Sequence, residues 1–314
     1  MIVRDRPTLW QLAFVTRGSV VRKVAPQMLL VAAVSLAVVL LRWLGLLRLD
    51  DMSPAALSVI GSALAIFSSF RNAAAYDRWW EARKKIGQVT CAARGLAREA
   101  VSYISTDSGA DPAAVETGRR IALRCIATLA VLREFLRGEP LAPDSVRYLA
   151  AAEAAALATS ANPPLRLLDF FSADIARLLA TERISPTVAE FLETRVTELT
   201  CAFTGAERVK STPMPFTYTL LVHRTAYAFC FLLPFGLADS SGWWTPLIAA
   251  VVSYTFFALD AVGDELACPY DARLANTIPL NSLATTLEIN ILQLLGTPTD
   301  HLPEPPLPKN YILT

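Results

Sequence analysis

Four segments of this chain are each long and apolar enough to cross a lipid bilayer, and no other feature narrows the fold as much. They are residues 25–47, 54–76, 216–238 and 243–262. A membrane-spanning helix needs about 20 mostly apolar residues, because the bilayer core offers backbone N–H and C=O groups no water and forces them to bond within the segment. The spans come in two pairs. Between the pairs lie residues 77–212, charged and without any long period-two alternation, and after the second pair comes a proline-rich tail, residues 297–314. The expected architecture is all-α: two spans, a helical block outside the bilayer, two more spans and a tail, interleaved as a single domain over residues 1–314.

Charge beside the spans sets their direction. Arg17, Arg22 and Lys23 precede the first, Arg78, Arg83, Lys84 and Lys85 follow the second, and Arg208 and Lys210 precede the third. The linker ADSSG between the third and fourth carries no basic residue. Basic flanks stay on the cytoplasmic side. Both termini and the middle block are therefore expected in the cytoplasm, with the spans in the cell inner (plasma) membrane and the loop at 48–53 outside. The apolar run near the N-terminus lacks a small-x-small cleavage site and is expected to be retained.

Little in the composition points to chemistry. With 29 basic and 28 acidic residues the net charge is +1, which gives no argument for nucleic acid or an acidic partner, and the four apolar spans make membrane lipid the expected surroundings. Cys91, Cys125, Cys201, Cys230 and Cys268 are far apart, which excludes a disulfide framework or a conventional zinc cluster and predicts buried, reduced thiols. His223 and His301 are the only histidines. No catalytic residue, metal or cofactor is expected.

The middle block reads as helices. Ile121, Cys125, Thr128, Leu129 and Leu132 share one face at helical spacing. Ser185 followed by Pro186 reads as an N-cap and first helical residue, and Ser53 with Pro54 opens the second span in the same way.

That second span continues as GSALAIFSSFRNAAAYDRWW, residues 61–80, passing from apolar to amphipathic with no proline. Stepping by four it carries Ser58, Ser62, Ile66 and Phe70. Small residues permit close helix packing in lipid. Alternatively, small polar residues that hold water, followed by bulky apolar rings that expel it, make the wall of a narrow conduit. One four-span subunit has too few helices to enclose a conduit, so a pore requires a ring of copies. His223 and Arg224 lie inside the third span, where an ionisable group faces protein or water or reaches the interface. Asp260, Asp264 and Glu265 follow at helical spacing and are expected to pair with Arg71 or Arg78.

Three stretches in order carry a family likeness. FRNAAAYDRWWEAR (70–83), STPMPFTYTLLVHRTAYAFCFLLPFGL (211–237) and DELACPYDARLANTIPLN (264–281) resemble signatures of the bestrophins in their bacterial form. The likeness covers roughly residues 3 to 296. It implies a homopentameric channel passing small inorganic ions, such as chloride or sodium, through one central pore. It further implies that Ser62, Ile66 and Phe70 form the rings of a hydrophobic neck, with Ser58, Ser69, Arg71 and Asn72 along or beside the pore. Thr187, or Val188 one register on, falls at the cytoplasmic aperture. Ser62 stands where the family usually has isoleucine and Thr187 where a bulky aliphatic is common, so both rings are expected to be permissive. Animal bestrophins hold calcium in an acidic run after the fourth span. Here the matching stretch keeps one acid, Asp271, and a hard cation wants several oxygen ligands, so no calcium site carries over. The pore stripe is uncharged and bacterial relatives have been treated as permeable to either sign, which leaves both open.

Two rivals stand beside the channel. A membrane enzyme needs facing reactive groups, and only His223 with Asp260 or Asp264 offers a set. A non-conducting scaffold or sensor would bind a partner through the helical block or the P-x-x-P spacing of PEPPLPK (303–309).

Overall fold

A computed structural model describes residues 1–2, 19–47, 54–308 and 311–313. Regular structure among them is helical, and the one extended pairing is an isolated antiparallel bridge between Ile2 and Ile312. The expected loop at 48–53 and the Ser53 cap lie outside the described residues. The chain folds as two compact units, one of residues 4–79 with 213–268, the other of residues 1–3, 80–212 and 269–314.

Among the described residues, four helices build the apolar unit: α1 (Val21–Trp43), the first half of α2 (Pro54–Asp107), α7 (Phe216–Ser241) and α8 (Thr245–Ala267). The first helix starts and ends a turn earlier than the span predicted at 25–47. Val24 and Val31 of α1, Leu64 of α2, Ala226, Phe229, Cys230 and Leu233 of α7, and Ala249 and Phe257 of α8 form one core. Helices α7 and α8 are an antiparallel hairpin, because the Tyr227 and Phe257 rings meet tilted at 4.7 Å and Phe229 meets Phe256 edge-on at 5.4 Å. The chain reverses at Gly242, whose φ of 49° and ψ of −126° cap α7 in a conformation glycine reaches without a Cβ clash. Among the described residues, three helical stretches are long and apolar enough to cross a membrane, Val21–Trp43, Ala55–Asp107 and Phe216–Ala267, the last being this hairpin.

Outside that core the unit remains apolar. Leu29, Leu30, Phe216, Leu247 and Val251 are all more than half exposed, far more hydrophobic surface than a water-soluble domain tolerates. Trp43, Trp243 and Trp244 are exposed at the end of α1 and the start of the hairpin's return, where indole rings suit the lipid–water boundary. Arg42 is neutralised there by an ion pair to Asp239.

The charged unit comprises the second half of α2 with α3 (Pro112–Arg137), α4 (Ala151–Ala158), α5 (Pro163–Ala180), α6 (Pro186–Ser211) and α9 (Leu280–Leu294). Ile121, Cys125, Thr128, Leu129 and Leu132 are fully buried on α3, the face their spacing predicts. Gly118 lets α3 approach α2 closely, since a Cβ there would stand 2.7 Å from the Ala100 carbonyl oxygen. Helix α6 opens as its sequence implies, with Pro186 in the first turn and the Ser185 hydroxyl accepting the Val188 N–H. The tail returns to the N-terminus, where the Leu313 N–H donates to the Met1 carbonyl at 2.8 Å. The cysteine expectation needs correction. Cys125 and Cys230 are buried, but Cys91, Cys201 and Cys268 are exposed, because the thiols on helices follow helix phase and not residue hydropathy, and Cys268 caps the end of α8.

A buried cation ties α3, α4 and α5 together. Arg124 donates from Nη1 to Asp174 at 2.6 Å and to the Phe170 carbonyl at 3.0 Å, and clasps Glu153 with its other nitrogens. Arg124→Ala takes one cation from buried Asp174, which keeps Arg120 and Arg177, and unclasps half-buried Glu153, and is expected to destabilise the protein by about 1–3 kcal/mol, read as a lowered thermal midpoint in detergent. An unchanged midpoint would show the cluster to be dispensable.

Candidate functional site

Helix α2 buries only a narrow strip within the apolar unit. Leu57, Leu64, Ser68, Arg71 and Ala75 are inside, each under 7% exposed. Gly61 sits against the Phe229 ring and Gly236 of α7 against Leu57, both too close for a side chain to be added without movement. At 100° per residue, the stripe Ser58, Ser62, Ile66 and Phe70 centres about 160° from that buried strip. All four side chains are exposed, Ile66 at 56% and Phe70 at 63%. Ser69 is exposed as well, and the Ser58 hydroxyl is tied back to the Ala55 carbonyl at 2.8 Å.

Arg71 turns the other way. It was expected along or beside the conduit with Asn72, but its side chain is 2% exposed and points into its own helical unit. Nη1 donates to the Asp260 carboxylate at 2.6 Å and Nη2 pairs with Asp264. Desolvating a guanidinium demands such partners. Asp260 is also shared with His223, whose Nδ1 lies 2.6 Å from the second carboxylate oxygen. The predicted pairing of this acidic trio is thus met by Arg71 for two members, whereas Glu265 pairs with Lys23 of α1. Arg78 donates to the Ala267 carbonyl at 2.8 Å, and Arg224 is exposed. Nothing in the sequence singled out Lys23 for Glu265, because the partners are 242 residues apart.

Two further positions belong to the charged unit. Thr187, in the first turn of α6, is exposed, and Val188 is half-buried. Asp271 has both oxygens engaged by Arg273, through its backbone N–H at 3.0 Å, Nε at 2.9 Å and Nη2 at 2.6 Å. Those hydrogen bonds hold its carboxyl down at about 2, and they occupy the lone pairs a cation would use. In the PLN segment, the Asn281 carboxamide oxygen accepts from Arg133 and Arg137, each at 3.1 Å, which locks α9 onto α3.

Gly263 is where the ion-pair site tolerates no side chain. A Cβ there would lie 2.5 Å from Asn72 Oδ1 and 3.1 Å from Arg71 Nη1. Gly263→Ala is expected to cost about 1–3 kcal/mol by overpacking, measured as a lower thermal midpoint in detergent. An unaltered midpoint would mean the helices separate there freely.

Comparison with known proteins fits this arrangement. The family model described as "Bacterial/Fungal Bestrophin protein" matches residues 1–293. A voltage-dependent anion channel-forming protein of Mesorhizobium japonicum is 40% identical over 94% of this chain and 93% of its own length. A protein of the same description from Salmonella typhi is 34% identical over the full length of both. Among solved structures, a bacterial bestrophin homologue from Klebsiella pneumoniae superposes with a TM-score of 0.79 at 31% identity, covering 88% of this chain and 99% of that one. With most of its length matched in sequence and in fold, this chain belongs to the bestrophin family, in its bacterial and fungal branch.

Proposed function

We propose that this chain is one subunit of a ring of five identical copies that passes small monovalent anions, chloride among them, passively across the cell inner membrane. Its four crossings would be α1, the first half of α2, α7 and α8, with both termini and residues 77–212 in the cytoplasm as the basic flanks suggest. The observation that carries this reading is the outward stripe of α2. Serines above two exposed bulky apolar residues make a wettable entrance followed by a dewetting constriction, on a face left exposed among the described residues. The family relation and the names of the relatives favour anions over the cation alternative. They also make this protein a channel and not an enzyme.

In this reading Ser62, Ile66 and Phe70 are successive neck rings, Ser58 and Ser69 flank them, and Thr187 forms the cytoplasmic aperture. Arg71 does not touch the ions. It braces the neck from behind, and Asn72 sits beside it. Ser62→Ile restores a hydrophobic first ring and is expected to reduce single-channel conductance severalfold in planar bilayers. An unchanged or larger conductance would remove Ser62 from the pore wall. Ion sign is tested by reversal potential under asymmetric potassium chloride. A value near the chloride equilibrium potential is expected, and one near that of potassium would overturn the anion assignment.

A further inference from the structure

A groove of about 550 Å³ runs along the charged half of α2, lined by Arg83, Arg94, Arg98 and Arg195 with Thr90 and Cys91 between them. Gly87 and Gly95 let the Arg83 and Arg195 guanidinium groups lie close over the helix, and no carboxylate or aromatic ring is among the groove's lining residues. Two of the arginines are already committed. Arg195 forks onto Glu99 at 3.0 Å and also holds Glu198, while Arg98 lies 3.6 Å from Glu99. Arg83 and Arg94 make no ion pair or hydrogen bond among the described residues. Three helical turns apart, they are separated by about 17 Å along the axis. Like charges left unpaired around one concavity repel one another, and an anion between them relieves that repulsion.

We infer that this groove is a binding site for a soluble multivalent oxyanion, an oligophosphate or a polycarboxylate. Guanidinium groups recognise such oxygens through paired, charge-assisted N–H donors. The volume is that of a small-molecule site, and its length outruns a single halide. A nucleoside would find no ring to stack on. The inference does not rest on the proposed conduction path.

Cys91 reports on occupancy from inside the groove. Cys125 and Cys230 are buried, and burial pushes the Cys125 thiol far up, so Cys201→Ser with Cys268→Ser leaves Cys91 as the exposed thiol. The full chain in detergent is labelled with neutral N-ethylmaleimide, with tripolyphosphate or citrate added at ionic strength matched by sodium chloride. Saturating anion is expected to slow Cys91 labelling about fivefold or more. Arg83→Gln with Arg94→Gln is expected to abolish that protection, read as the ratio of rates with and without anion in the same variant, since loss of two cations beside the thiol also alters its anion-free rate. Arg94→Gln alone, at an exposed position, weakens the protection where the double variant is not recovered. Equal rates with and without both anions, protection that survives the double variant, or a Cys91 that the reagent never reaches would each overturn the site. Labelling requires no current, so it separates this inference from the channel reading.

Discussion

The rotation of α2 about its own axis is set by one buried charge. Arg71 is held inside the apolar unit by Asp260, which His223 also engages, and by Asp264 at the edge. Moving that guanidinium into hydrocarbon without its carboxylates would be costly, and turning the helix by one residue, about 100°, would do that. With Arg71 inside, Ile66 and Phe70 have to be outside. A polar cluster in an apolar unit is weak as a source of stability, because desolvation offsets most of the Coulomb attraction. Its strength lies in orientation, and the orientation of this helix is what a pore wall requires.

From that constraint the surface of the unit becomes intelligible. The core formed by α1, α7 and α8 takes only a strip of α2, which leaves a broad apolar arc of that helix exposed among the described residues. Leu29, Leu30, Leu247 and Val251 face outward on α1 and α8, and the exposed Thr255 one turn on ties its hydroxyl back to the Val251 carbonyl at 3.0 Å, as suits lipid-facing positions. The Ser58-to-Phe70 stripe differs in kind, since it mixes hydroxyls with bulky rings. Lipid gives a serine hydroxyl no partner except its own backbone, and water gives Phe70 none at all. A narrow aqueous path shared among copies accommodates both.

Much of this was legible from residue spacing. The face of α3, the Ser185–Pro186 helix start and the outward stripe follow from periodicities of three and four residues, which the backbone imposes locally. The acidic trio after the fourth span announced itself, and Arg71 was one of two cations in reach of it. What spacing does not reveal is partnership across the chain. The Lys23–Glu265 pair joins residues 242 positions apart, and the Arg124 cluster gathers acids from two other helices. The exposure of Cys91 and the arginine groove around it escaped notice for the same reason, because Arg83, Arg94 and Arg98 look like scattered surface charge until α2 is seen to run unbroken to Asp107.

The central claim is that the exposed stripe of α2 borders water in the assembled protein. It is tested most directly by placing a cysteine at Ile66 in a background where Cys91, Cys201 and Cys268 are serine, and recording currents while a water-soluble thiol reagent is applied. The account predicts progressive block through Ile66→Cys and none through Leu29→Cys on the lipid-facing side of α1. A cysteine at position 66 that never reacts, or block that arises equally from position 29, would contradict it.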